Sequence, residues 1–463
     1  MFKRILIANR GEIAVRIIRA CRDLGVQPVA VFSQADRTAR HVREADLAVP
    51  IGPAPAAQSY LNSAAIIEAC RGAKAEAIHP GYGFLAENPA FARAVKQAGL
   101  VFIGPSAEAI EQMGDKVRAR GLMAAAGVPV VPGSPATLDD SRQALALARE
   151  VGFPVMLKAA AGGGGKGMRL IEQEAELEAA VRAVASEARS AFGDGRFYLE
   201  KYLDCPRHIE VQVLADAAGR TVHLFERECS IQRRHQKVVE ETPSPFVTPA
   251  MRREMGEIAV RAARAVNYLG AGTIEFLVDA RRNFYFLEMN TRIQVEHPVS
   301  ELVSGIDLVE AQLAAAARES LELAQEDVVL RGHAIECRVN AEVPEEGFRP
   351  NAGRIERWDP PEGPNIRLDT HCYAGYEIPV HYDSLLAKLV VYGRNRDEAI
   401  ERTNRALGRF RIEGVSTTLP FLRFAVGSRA FAEGRVSTEL VDEELAPAFA
   451  ELGSRPSSPR APV

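Results

Sequence analysis

The chain has 463 residues, on the order of two to four domains at about 100–200 residues each. Hydrophobic residues make up 47% and charged residues 25%, which excludes a disordered chain, a collagen or a disulfide-stapled mini-protein. Lys plus Arg number 57 against 61 Asp plus Glu, a net charge of −4, so no global basic field exists to hold nucleic acid or an anionic membrane.

No stretch approaches the ~18–20 apolar residues of a membrane span. The opening run Ile5-Leu6-Ile7-Ala8 is cut short by Asn9, Arg10 and Glu12, so it reads as a buried first strand rather than a secretory signal. Cys21, Cys70, Cys205, Cys229, Cys337 and Cys372 are scattered without a C-x-x-C pair and read as reduced core thiols of a cytoplasmic protein. Only nine of the 57 basic residues are Lys, and Lys116, Lys158, Lys166, Lys201 and Lys237 cluster in the middle of the chain.

Residues 1–114 alternate short apolar runs with helical spacing. After the first strand, Ile13, Ile17, Ala20 and Leu24 recur at helical intervals. Val29–Phe32, Ala77–His79 and Leu100–Ile103 then read as strands, with helices near Tyr60–Cys70 and Pro89–Ala98. This rhythm predicts βαβ units and a parallel sheet, with the turn His79-Pro80-Gly81-Tyr82-Gly83-Phe84 at the ligand-binding rim, where its two glycines either serve a ligand or simply turn a corner. Asn9-Arg10-Gly11-Glu12 stands where a dinucleotide fingerprint would be, which disfavours a simple NAD dehydrogenase.

Residues 115–130 read as a helical link. A smaller unit spans 131–203, with strands at Phe153–Lys158 and Phe197–Lys201, a helix over Glu174–Arg189 and the run Gly162-Gly163-Gly164-Gly165-Lys166 between. Four glycines can present backbone N–H groups to an anion, or act as a hinge. Gly167 in place of Ser or Thr rules out a Walker A loop. From 204 to 446 the pattern is mainly antiparallel, and 447–463 reads as a disordered tail.

Glu275 and Glu288 lie in two apolar strand patterns. A two-residue hairpin at Arg281-Arg282 sets them opposite each other, on one face with Phe284 and Phe286. Opposed carboxylates destabilise a sheet unless neutralised, which suggests a hard divalent cation carried with phosphates. Glu288, Asn290, Arg292, Gln294 and Glu296 then alternate with apolar residues, as on one edge of an extended segment. Such an edge can be a solvated strand face, or can supply metal ligands, a cation for an anion and a carboxylate base. Cys229–Lys237 concentrates cationic and amide groups that suit phosphate or another small oxyanion, or form a solvated loop. Read locally, Arg338 in His333–Asn340 is a surface ion-pair residue.

Together these stretches resemble the biotin carboxylases, the ATP-grasp component of biotin-dependent carboxylases. The resemblance rests on Ile7–Ala14, His79–Phe84, Met113–Lys116, Gly162–Met168, Glu226–Lys237, Phe286–Pro298 and Tyr382–Leu389. It implies a mixed α/β and α+β, three-part ATP-grasp fold: an N-terminal parallel-sheet domain, a mobile lid and a mainly antiparallel C-terminal domain.

The resemblance also implies roles. ATP would be held by Lys116, Lys158, Gly164, Gly165, Glu200, Lys201, Tyr202, Leu203, His208, Gln232, His235, Glu275 and Glu288. Mg²⁺ (or Mn²⁺) would be held by Glu275, Glu288 and Asn290. Lys237, Arg292, Gln294 and Val295 match the bicarbonate pocket, and Glu296 matches the base that deprotonates bicarbonate. Arg338 matches the residue that stabilises the biotin enolate, reversing its local reading, and Tyr82 joins the residues expected to contact bicarbonate or biotin. Ala86, Ala160 and Asn351 stand where relatives often have Ser.

The implied reaction is ATP-dependent carboxylation of biotin through carboxyphosphate, the first half-reaction of an acetyl-CoA or other acyl-CoA carboxylase. The family's biotinylated lysine lies between methionines, whereas Lys388 lies between Ala387 and Leu389. Biotin is therefore expected on a separate carrier protein, with carboxyltransferase subunits as further partners, a homodimer, and neither nucleic acid nor membrane. The competing readings are an ATP-grasp ligase for another carboxylate and a silent nucleotide-binding subunit.

Overall fold

The computed structural model describes residues 1–138, 140–160 and 167–454. The first apolar run becomes β1 (Arg4–Ile7), the central strand of a parallel sheet with β2 (Gln27–Ser33), β3 (Leu47–Gly52), β4 (Ala77–His79) and β5 (Val101–Phe102), ordered β3-β2-β1-β4-β5. Ile5, Leu6 and Ile7 are completely buried, as a strand covered on both faces requires. The sequence pattern did not disclose β3. It is an edge strand carrying Pro50 and exposing Leu47, features that suit an edge and blur the apolar run.

At the carboxyl end of this sheet the Asn9 amide donates to the carbonyls of Pro80 and Tyr82, both at 2.7 Å. Gly81 has φ +64°, and a Cβ there would lie 2.9 Å from Asn9 Nδ2. Glycine is therefore required for the turn that presents Tyr82.

The helix Lys116–Ala125 follows, its N-terminus capped by the Asp115 carboxylate. A small antiparallel sheet comes next, ordered β7-β6-β8, from β6 (Val155–Ala159), β7 (Met168–Ile171) and β8 (Phe197–Lys201). It packs on the helices Ser141–Val151 and Leu177–Phe192 through Ala144, Ala148, Val181 and Val184. The Gly162–Lys166 stretch, with the expected contacts at Gly164 and Gly165, lies outside the described residues.

The largest sheet is eight-stranded and antiparallel, built of β9 (Arg207–Ala215), β10 (Thr221–Arg233), β11 (Gln236–Thr242), β12 (Gly270–Val278), β13 (Phe284–Asn290), β14 (His333–Asn340), β15 (Ile366–Thr370) and β16 (Leu385–Gly393). Its order is β13-β12-β9-β10-β11-β14-β16-β15. One face is covered by the helix Pro249–Ala265 at the β9 and β12 end and by Arg396–Arg409 and Leu419–Val426 at the β14 and β16 end. On the other face, Leu214, Val222, Leu224 and Ala271 pack against the N-terminal sheet's helix Gly11–Asp23 and against Leu308–Ala316. The rest of that second face carries mostly charged and polar residues, with Ala334 and Val390 packed against Val299 and Val303 of the helix His297–Ser304.

Two expectations change here. The segment read as a disordered tail from 447 begins as the helix Ala446–Ser454, because Phe449 buries against Phe421 and Phe424 at ring separations of 5.6 Å; residues 455–463 lie outside the described residues. Cys205 is exposed rather than a core thiol, while the other five cysteines are buried. Among the described residues no helix is long and apolar enough to cross a membrane.

Candidate active site

The β12–β13 hairpin sets the geometry. Its turn is one residue longer than expected: the Asp279 N–H donates to the Asn283 carbonyl, and the Asp279 carboxylate accepts from Arg281 and Asn283 N–H groups at 2.9 Å each. Arg282 takes the left-handed conformation this needs, φ +67°. A bulge at Leu287 then shifts the register back by one, so Glu275 pairs with Glu288. The two departures cancel for the carboxylates but not for the phenylalanines. The bulge turns Phe284 and Phe286 into the core beside Phe276, away from the carboxylate face where sequence spacing put them.

Past Asn290 the chain leaves the sheet, so the expected extended edge ends there. Residues 291–296 turn tightly and enter the helix His297–Ser304 with Glu296 as its cap residue. Glu87 holds this turn, accepting from the Thr291 N–H at 3.0 Å and from Arg292 Nε at 2.8 Å. Arg292 Nη2 also donates to Asn290 Oδ1 at 2.8 Å. Gln294 and Glu296 still point into the cavity, and Gln294 Nε2 donates to Glu275 Oε1 at 2.8 Å.

Three strands supply the rest. In the β10–β11 hairpin, Arg234 and His235 both have positive φ (+48° and +64°), the geometry of a primed two-residue turn. That turn sets Lys237 opposite Gln232. Lys237 Nζ donates to Glu210 at 2.5 Å, Glu275 at 2.9 Å, Gln294 at 3.3 Å and Glu296 at 2.5 Å. The fully buried Arg227 donates to Glu210 at 2.5 Å and Gln294 at 3.2 Å. From β14, Arg338 donates through Nε to Glu240 at 2.5 Å and through Nη2 to Glu296 at 2.8 Å. Its local reading as a surface ion-pair residue is half met: it is ion-paired, but inside the cavity.

These contacts decide the charges. Burial pushes the Glu296 carboxyl up, but Lys237, Arg338 and Arg227 outweigh it and hold the group well below the usual carboxylate range. Burial likewise opposes, and Lys237 and His208 overcome, in the case of Glu275. Glu288 goes the other way: burial and the neighbouring Glu275 raise it, with Lys116 and His208 opposing. An ionised carboxylate facing one that resists ionisation, with the amide of Asn290 beside them, is a hard-oxygen donor set that fits Mg²⁺.

At the other end of the cavity Lys158 and Arg120 both reach Glu200. Lys201 Nζ donates to the carbonyls of Gly152 and Phe153, and the Tyr202 hydroxyl donates to Glu439 at 3.2 Å. His208 Nε2 lies 3.1 Å from Glu275, and its Nδ1 is 2.9 Å from the Gln232 amide. His235 is exposed at its turn, and Lys116 begins the link helix.

One cleft of about 910 Å³ is lined by every expected site residue within the described chain, from Tyr82 and Lys116 to Glu296 and Arg338. Sequence reading passed over Glu87, Arg120, Glu210, Arg227 and Glu240. Glu210 had a signal: His208, Glu210 and Gln212 alternate with Ile209, Val211 and Val213, the same period-two pattern followed later at Glu288–Glu296.

Comparison with known proteins agrees with this architecture. The biotin carboxylase N-terminal domain matches residues 1–110, the ATP-binding domain of the carbamoyl-phosphate synthase L chain matches 115–324, and the biotin carboxylase C-terminal domain matches 336–443. The biotin carboxylase of Allochromatium vinosum is 52% identical over 96% of this chain and 99% of its own length. A pyruvate carboxylase subunit from Methanothermobacter thermautotrophicus is 52% identical over 96% of this chain and 90% of its own. The Campylobacter jejuni biotin carboxylase–β,γ-ATP complex superposes with a TM-score of 0.93 at 47% identity, covering 96% of this chain and 99% of that one. The biotin carboxylase domain dimer of Hydrogenobacter thermophilus 2-oxoglutarate carboxylase, solved with MgADP and bicarbonate, gives 0.92 at 48% identity over 97% and 99%. Three family matches spanning the chain and relatives of this similarity leave one conclusion: the chain belongs to the biotin carboxylase family.

Proposed function

We propose that this chain carboxylates biotin with bicarbonate, driven by ATP cleavage, and that the residues of the cleft divide the work as follows. Lys116, Lys158, Glu200, Lys201, Tyr202, Leu203, His208, Gln232 and His235, with Gly164 and Gly165, bind and orient the nucleotide. Glu275, Glu288 and Asn290 would hold Mg²⁺, which when bound offsets charge on the phosphates. Lys237, Arg292, Gln294 and Val295 seat bicarbonate, and Tyr82 and Arg338 receive biotin.

The single observation that carries this reading is Glu296, a buried carboxylate held ionised between the ammonium of Lys237 and the guanidinium of Arg338. Ionised, it is ready to accept a proton. An arriving anion draws Lys237 to itself, and Glu296 then loses its closest ammonium contact and becomes a stronger base. It can take the bicarbonate proton, leaving an oxygen nucleophile that bonds to the terminal phosphorus of ATP as the bond to the bridging oxygen breaks and ADP leaves. The resulting carboxyphosphate is the activated carboxyl donor. Arg338, aimed at the same spot, is set to stabilise negative charge developing on biotin's ureido oxygen.

Lys388 is buried, donating to the Val295 carbonyl at 2.9 Å and pairing with Glu12 at 3.2 Å, so it is unavailable for biotinylation. We assign biotin delivery to a separate carrier protein, carboxyl transfer to partner carboxyltransferase subunits, and dimerisation to the chain itself. Relatives of similar identity are named for pyruvate and 2-oxoglutarate carboxylases, so the final acceptor is a property of those partners. The test is label transfer from bicarbonate: labelled carboxybiotin should form with ATP and Mg²⁺ and fail to form without ATP. ATP cleavage indifferent to bicarbonate and biotin would instead support a ligase for another carboxylate.

A further inference from the structure

A second pair of opposed carboxylates stands behind Arg338. On the adjacent strands β11 and β14, Glu240 lies directly across from Glu336, and both are completely buried. Opposed side chains at such positions have Cβ atoms about 4.5–5.5 Å apart. Glu240 uses one oxygen to accept from Arg338 Nε. Its other oxygen and both oxygens of Glu336 find no hydrogen-bond partner among the described residues. Two buried, adjacent carboxylates with three idle oxygens are untenable if both are charged.

The neighbours do not neutralise Glu336. On its own strand Arg338 is committed to Glu240 and Glu296. From β16, Lys388 sits diagonally across but is engaged by Val295 and Glu12. From the helix start above, Glu296 is itself anionic, and His297 is kept neutral by burial, with Lys388 and Arg16 adding to the effect. Burial also pushes Glu336 well above the usual carboxyl range, further than Lys388 pulls it back.

We infer that Glu336 is held as a neutral carboxylic acid donating its proton to the free oxygen of Glu240, and that Glu240, so anchored, is the positioning residue that fixes the Arg338 guanidinium toward the reacting centre. One proton satisfies two idle oxygens and leaves Glu240 its single negative charge for Arg338. Resting on the proposed function, this adds an Arg338-holding pair that never touches substrate.

Infrared spectroscopy of the full ligand-free chain tests the proton directly. The wild type at neutral pH should show a protonated-acid carbonyl band of which one carboxyl's share disappears in Glu336→Gln. A spectrum with that share unchanged overturns the inference. Glu240→Gln, which does not depend on Glu336→Gln folding, should shift the same band by altering its acceptor; no shift overturns it. The positioning role is read from the ratio of biotin-stimulated to biotin-free ATP cleavage, which should fall about tenfold in Glu240→Gln. An equal loss of both activities marks a merely structural role and overturns positioning. If the wild type shows no biotin stimulation, the functional reading fails, and the infrared result still decides the shared proton.

Discussion

Glu275–Glu288 and Glu240–Glu336 are the same local arrangement, two glutamates facing each other across adjacent antiparallel strands, yet their surroundings differ. Around the first pair stand His208, Lys237, Lys116 and Asn290, beside open cleft. The second is sealed under the helix His297–Ser304, with Arg338 paired to one oxygen. A carboxylate pair beside an aqueous cleft can be neutralised by an arriving cation, and a sealed pair must be neutralised by a proton. The comparison teaches that opposed acids in a sheet identify a site only when there is a route for a counter-charge to reach them.

The sharpest way to break this contrast is to remove the cation shared by the open region. Lys237→Ala strands Glu210, Glu275 and Glu296 without their common partner. Bicarbonate-dependent ATP cleavage should fall about 10²–10³-fold, and the chain should lose about 3–5 kcal/mol of stability, measured by steady-state kinetics and denaturant unfolding. Arg338→Ala should follow, removing biotin stimulation while reducing biotin-free ATP cleavage less; equal losses would separate Arg338 from biotin. Glu288→Gln should raise the Mg²⁺ concentration for half-maximal ATP cleavage at least about tenfold, whereas Glu336→Gln should leave the Mg²⁺ titration midpoint where it is. The smallest effect is on pH. Glu336 has its folded pKa raised above its unfolded value, so the folded state keeps a proton that the unfolded state loses as pH rises past about 4.5. Its contribution therefore turns unfavourable upward from that pH, by up to about 1.4 kcal/mol per unit. The Tm of Glu336→Gln relative to wild type should accordingly climb between pH 5 and 8. A relative fall over that range would mean an ionised Glu336.

Much of the open region was legible in sequence because its parts are close along the chain. Glu275 and Glu288 belong to one hairpin, and the longer turn at Asp279–Asn283 and the bulge at Leu287 offset each other. The parallel N-terminal sheet was legible for a similar reason, each strand being followed by its own helix; only the Pro-bearing edge strand β3 escaped. The sealed pair joins strands far apart in sequence, and nothing local to Glu240 or Glu336 says that β11 and β14 are neighbours. Glu87, which holds Arg292 from 205 residues away, was missed for the same reason; Arg227 and Glu210 face each other across the consecutive strands β9 and β10, and the period-two signal at Glu210 was passed over. The alternation through Glu296 misled on backbone: the residues reach one cavity, but by a turn into a helix.

The measurement that tests the account most directly is the rate of bicarbonate-dependent ATP cleavage by the wild type and by Glu296→Gln, with Mg²⁺ and free biotin. Glutamine preserves shape and one of the two acceptor oxygens that meet Lys237 and Arg338 but cannot accept the proton. The account predicts bicarbonate-dependent, biotin-stimulated cleavage in the wild type and a loss of about 10²–10⁴-fold in the variant, with nucleotide binding retained. Cleavage in Glu296→Gln at the wild-type rate would contradict it.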